Sequence, residues 1–176
     1  MKILHVTEIL GKYVDFSRVP DQALFMASQR GQIVHRVCGA YAVGAYVAGL
    51  PDHLVGYFKS FKRWFDANVK AVVLVEKTMV DPTLGFTGRP DLVVELFNGL
   101  DLLTDLKTPI AESKTWGVQL SAYWHLCNRY GIRLDGAASL RLKPNGGEAI
   151  ATRYDNSAND FNVFLSALNA HRYLIG

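Results

Sequence analysis

Cysteine is scarce: only Cys38 and Cys127 occur in 176 residues. A four-thiolate zinc site or an iron–sulfur cluster needs more, so neither is expected, and any metal must take oxygen or imidazole ligands. Both cysteines fall among apolar residues of helix-like stretches, as reduced core residues do. No apolar run is long enough to cross a bilayer. The N-terminal "MKILHVTEILG" is interrupted by His5 and Glu8 before it can serve as the apolar region of a signal peptide. A cytoplasmic protein with no membrane association is therefore expected. No linker rich in Pro, Gly or Ser, no repeat and no low-complexity tract divides the chain, and residues 1–176 are read as one domain.

The chain is 49% hydrophobic and 20% charged, which suffices for a full apolar core and excludes disorder as the main state. A net charge of +3 is compatible with nucleic acid but does not argue for it.

A first helix is expected after Val19-Pro20, with Val34, Val37, Cys38 and Tyr41 forming its apolar stripe. A second begins near Pro51, where Leu54, Phe58, Phe61 and Phe65 repeat at helical spacing. The β-branched run Lys70–Val80 predicts one strand, and "DPTLG" a turn. Two further strands flank Asn98-Gly99, a hairpin signal. A helix over Lys114–Tyr130 stops at Gly131, a strand pair surrounds Pro144-Asn145-Gly146-Gly147, and Phe161, Phe164, Leu165 and Leu168 mark a closing helix. This pattern predicts an α/β fold: a central mixed sheet, made of a three-strand meander and a further strand pair, flanked by helices.

The hairpin has two registers to choose from. A two-residue loop pairs Phe97 with Leu100 and sets Leu92 against Asp105, mixing charged and apolar residues on one face. A three-residue loop, with Gly99 left-handed, pairs Leu96 with Leu100, Val94 with Leu102, Val93 with Leu103 and Asp91 with Asp105. The second keeps one face apolar and brings Asp91, Asp105 and Lys107 together, since strand side chains alternate. Opposed carboxylates repel, so without a cation at least one of them tends to keep its proton. A divalent ion removes that penalty, and oxygen ligands suit Mg²⁺ or Mn²⁺. Singly, each acid reads as a turn or salt-bridge residue; together with the lysine they point to function.

The ordered set "RGQIVH" (Arg30–His35), "GRPD" (Gly88–Asp91), "DLKT" (Asp105–Thr108) and "QLSAY" (Gln119–Tyr123) resembles the PD-(D/E)XK nuclease superfamily, in its RecB-type, lambda-exonuclease-like branch. The N-terminal "VTEIL" is also similar to the start of such domains. The resemblance implies a restriction-endonuclease-like core and a metal-dependent DNA exonuclease that hydrolyses phosphodiester bonds.

It further implies that Asp91, Asp105 and the Leu106 carbonyl bind one or two Mg²⁺ or Mn²⁺ ions. Lys107 matches the catalytic lysine, and His35 matches a histidine that adds a ligand or supports the site. Gln119 and Tyr123 contact nucleic acid or brace the site, and Arg30 and Lys114 are further candidates for DNA contact. Glu76 is an additional candidate ligand: it is either a buried acid facing the metal or a strand-end residue near water. By their residues alone, His35 reads as semi-buried beside Gly31 and Ala42, Tyr123 as core and Gln119 as a packing residue one helical turn away.

Arg89, Arg141 and Lys143 are candidates to follow a phosphate backbone, although each singly reads as ordinary surface charge. No base-reading motif is present, so cleavage independent of sequence is expected. Linear DNA ends are the expected partner. By analogy with relatives, a homo-oligomer and a single-strand annealing protein are candidate partners, with a role in replication, repair or recombination, a viral (phage) origin included. The rival readings are an endonuclease on the same core and a non-cleaving module that binds DNA ends.

Overall fold

The computed structural model describes residues 2–47, 49–155 and 157–175. The chain opens with β1 (Leu4–His5) and α1 (Val6–Gly11), followed by α2 (Asp21–Ala42) and α3 (Asp52–Asn68). Then come β2 (Val69–Val75), β3 (Met79–Asp81), β4 (Phe86–Gly88), β5 (Leu92–Leu96) and β6 (Asp101–Lys107). Helix α4 (Thr115–Arg129) leads to β7 (Gly136–Arg141), β8 (Ile150–Arg153) and α5 (Ser157–Ile175).

Helices α2 and α3 begin directly after Pro20 and Pro51, whose φ values of −57° and −54° suit a helix entry. Gly131 ends α4 at φ +73°, and Ile132 N–H donates to the Cys127 carbonyl at 3.0 Å, satisfying a carbonyl the helix leaves open.

A five-stranded sheet runs in the order β2-β5-β6-β7-β8. Its first three strands pair antiparallel, β6 and β7 run parallel, and β7 and β8 close as an antiparallel pair. A parallel pair needs a crossover, and α4 provides it. Strand alternation then sorts the core into two layers. Val93, Leu103 and Ala137 pack with Leu120 and Leu126 of α4 and Phe164 of α5. Leu92, Val94, Leu102, Leu106 and Leu140 pack on the other face with Val34 of α2 and Leu54 and Phe61 of α3. Phe61 is fully buried, and truncating it to alanine would cost roughly 3–5 kcal/mol.

The expected α/β layering is present, with two corrections. The run Lys70–Val80 is not one strand. It breaks at Glu76, which adopts φ +44°, and the remainder joins a second sheet of order β1-β4-β3. The expected Asp81–Gly85 turn is the hairpin between β3 and β4, where the Asp81 carboxylate accepts from the Thr83 and Leu84 amides. The short elements β1, α1 and β4 were not foreseen, because two to six residues are too few to show a period.

Both cysteines are buried free thiols, and burial pushes that of Cys127 up to about 12. Among the described residues no helix is long and apolar enough to cross a membrane.

Candidate active site

The β5–β6 register is the three-residue-loop one: Leu92 pairs with Thr104, Val93 with Leu103 and Val94 with Leu102. Gly99 takes φ +83°, and Leu96 N–H donates to Leu100 O at 2.9 Å. Asp105 and Lys107 therefore share the Leu103 face, beneath α4. Asp91 lies one residue before β5, and its Oδ2 accepts the Leu106 amide at 2.7 Å. The C=O and N–H of one strand residue share an edge, and successive residues of β6 alternate between the two edges. Asp101 and Lys107 carbonyls accept from Asp135 and Leu142 on the β7 side, so the Leu106 carbonyl faces the β5 side with its amide, toward Asp91.

Helix α4 brings its motif residues down onto that face. The Gln119 amide spans the charged pair: its Oε1 accepts from Lys107 Nζ at 2.9 Å, and its Nε2 donates to Asp105 Oδ1 at 3.1 Å. Nε2 also donates to the Tyr123 hydroxyl at 3.1 Å. Gly88, in the segment preceding Asp91, makes room for the tyrosine: a Cβ there would lie 2.6 Å from its ring.

From the opposite layer, α2 delivers His35, whose Nδ1 lies 3.1 Å from Asp91 Oδ1. A Cβ on Gly39 would stand 3.2 Å from the Val75 side chain, so the glycine lets α2 lie close to the end of β2. Just past β2, Glu76 N–H donates to the Asp91 carbonyl at 2.9 Å, tying the break in the run to the acid. Glu76 is a half-exposed strand-end residue rather than a buried acid, and it lines a cleft of about 500 Å³ with Gly31, Gln32, His35, Arg36 and Arg89. Arg89 approaches its carboxylate at 3.8 Å.

Two candidates stand elsewhere. The Arg30 guanidinium lies over the Tyr57 ring of α3 at 5.8 Å, and Lys114 lines an apolar groove between α1, α4 and α5. Arg141 donates to the Ile110 carbonyl at 2.6 Å and lines a further small cavity with Lys143. Sequence reasoning missed Arg36, which lines the cleft, and Trp116, whose ring centroid lies 5.4 Å from Lys107 Nζ. Arg36 follows the motif histidine, and Trp116 precedes Gln119 by three positions on the same helix, a spacing that does signal a shared face.

The two acids titrate apart. Burial would raise Asp91, but His35 and the Leu106 amide outweigh it and hold the carboxyl below its usual range. Burial raises Asp105, Lys107 opposes, and the nearby Asp91 charge adds to the rise, so its pKa stands above the usual range. Burial pulls His35 down, whereas Asp91 and Asp105 pull it up further, and the net shift is upward. Tyr123 is raised by burial and by both carboxylates, which keeps its hydroxyl protonated.

Among the described residues, no three His, Cys, Asp or Glu side chains are gathered as a ready metal site. Both Asp91 oxygens are engaged by protein groups. Asp105 Oδ2 differs: it is buried and accepts no well-aligned hydrogen bond, although Lys107 Nζ is only 2.5 Å away. A buried carboxylate oxygen with lone-pair capacity left over, beside a second carboxylate and a backbone carbonyl, is the donor chemistry of a hard oxygen-seeking cation.

No family model matches the sequence, and no curated protein matches it. Twenty-three chains of solved structures match. One is the crystal structure of SSO0001, with a TM-score of 0.52 and 14% identity over 99% of this chain and 77% of that one. At that identity the likeness is one of fold.

Proposed function

We propose that this chain is a divalent-cation-dependent deoxyribonuclease of the PD-(D/E)XK type, an exonuclease acting on linear DNA without sequence preference. The observation that carries the reading is the meeting of Asp91, Asp105, Lys107, His35 and Gln119, drawn from four separate segments around the end of β6. A lone acid–lysine pair is an ordinary salt bridge. A buried acid and a partly buried one with opposite pKa shifts, a half-buried histidine and an amide spanning the ion pair make an arrangement suited to chemistry.

In hydrolysis a water oxygen bonds to phosphorus, the bond from phosphorus to the departing sugar oxygen breaks, and a proton from water ends on that oxygen. Mg²⁺ or Mn²⁺, held by Asp91, Asp105 and the Leu106 carbonyl with His35 in support, would supply Lewis-acid stabilisation of the charge that develops. The Leu106 amide and the His35 ring orient Asp91. Lys107, steadied by Asp105 and Gln119, positions the water or holds the attacked phosphate by its charge. Arg36 and Arg89 line the cleft beside the acids, where a phosphate backbone would enter.

The test is loss of end-labelled linear DNA, duplex and single-stranded, against covalently closed circles. It is run with Mg²⁺ and with EDTA, for wild type and Asp105→Ala. Degradation of linear DNA alone, by wild type with metal only, is expected. Cutting of circles transfers the reading to an endonuclease. DNA binding without any cleavage leaves a binding module.

A further inference from the structure

Among the described residues, Lys107 Nζ meets a carboxylate, an amide oxygen and an indole ring. Asp105 Oδ2 lies at 2.5 Å, Gln119 Oε1 at 2.9 Å, and the ring of Trp116 faces it at 5.4 Å from the centroid. Trp116 sits in the first turn of α4 and is a buried apolar residue, 6% exposed, whose ring is set against the Lys107 ammonium. A buried indole that meets an ammonium within about 6 Å of its ring centroid adds an electrostatic contact to its packing.

The chemistry of the three neighbours differs. Asp105 is itself a cation ligand in the nuclease reading, so its charge is shared. The amide oxygen and the π face are neutral and hold an ammonium without competing for a metal. A lysine carries its charge on a flexible four-carbon stem, and two fixed neutral contacts confine it.

Resting on the nuclease reading, we propose that Trp116 is a positioning residue for Lys107, holding its ammonium over the Asp105 carboxylate by a cation–π contact. Trp116 acts through Lys107 and touches neither substrate nor metal.

Two variants separate this role from packing. Trp116→Leu keeps apolar bulk without a π face, and Trp116→Phe restores a smaller one. In the metal-free full chain, nuclear magnetic resonance should show the Lys107 side-chain methylene protons displaced by the indole ring current. The displacement should be partly kept in the Phe variant and lost in the Leu variant. With Mg²⁺, kcat should fall about tenfold in Trp116→Leu and about threefold in Trp116→Phe, with KM for DNA nearly unchanged.

Equal losses in the two variants, in step with lost thermal stability, would make Trp116 a packing residue and overturn the inference. Undisplaced Lys107 protons in a wild type that cleaves DNA overturn it alone, even if Trp116→Leu does not fold. A wild type that cleaves nothing overturns the nuclease reading, and the positioning role with it.

Discussion

Asp91 accepts the backbone amide of Leu106 at 2.7 Å across a separation of 15 residues. The carboxylate thus continues the β5–β6 ladder past the last paired residue of β5, and one side chain serves both the sheet and the site.

That double duty separates two substitutions at Asp91. Asparagine keeps an oxygen for the Leu106 amide, whereas alanine leaves the amide without its acceptor, at a cost of about 1–3 kcal/mol. Both should reduce cleavage by about two orders of magnitude or more, because the carboxylate charge is lost. Urea unfolding should rank Asp91→Ala clearly below Asp91→Asn. Equal stability of the two would remove the structural half of the role.

Gln119 offers an oxygen to Lys107 and a nitrogen to Asp105, and only an amide can do both. Gln119→Leu should lower turnover about a hundredfold through misplacement of the ion pair, with DNA affinity little changed. Gln119→Glu turns a donor into a carboxylate beside Asp105 and should be inactive as well as less stable. Single-turnover rates beside a DNA-binding isotherm distinguish these effects, and near-normal turnover in the Leu variant would refute the bridging role.

A second acid–histidine contact predicts how stability depends on pH. Burial would raise Asp81, but the Leu84 and Thr83 amides, His125 at 2.7 Å and Arg129 at 3.5 Å together hold it below the usual carboxylate range. A carboxyl with a depressed folded pKa contributes stability above its unfolded value, near 3.9, that is lost as pH falls through the folded one. The stability gap between wild type and Asp81→Asn should therefore shrink as acid is added below about pH 4, followed by urea unfolding. A gap unchanged into strong acid would show that another group carries the acid dependence.

Much of the architecture was legible in the sequence for local reasons. Proline before α2 and α3, glycine after α4 and Asn98-Gly99 between β5 and β6 act within a few residues, and so they mark boundaries in the chain itself. The hairpin register followed from alternation, since only one loop length keeps Val94 and Leu102 on an apolar face. The break at Glu76 was not legible: no glycine or proline marks it, and Glu76 takes φ +44° where its amide makes a last hydrogen bond to Asp91, 15 residues away.

The sequence by itself determined the acids, the lysine, their two-residue spacing on β6 and the i, i+4 pair on α4, because these depend only on backbone periodicity. The tertiary structure alone decided that His35 reaches Asp91 from the opposite layer and that Arg36 and Glu76 share one cleft. It also decided that Trp116 faces Lys107, whereas Arg30 rests on Tyr57 and Lys114 on an apolar groove. These placements depend on how helices dock on a twisted sheet, and docking is set by the packing of the whole core, which no local spacing encodes.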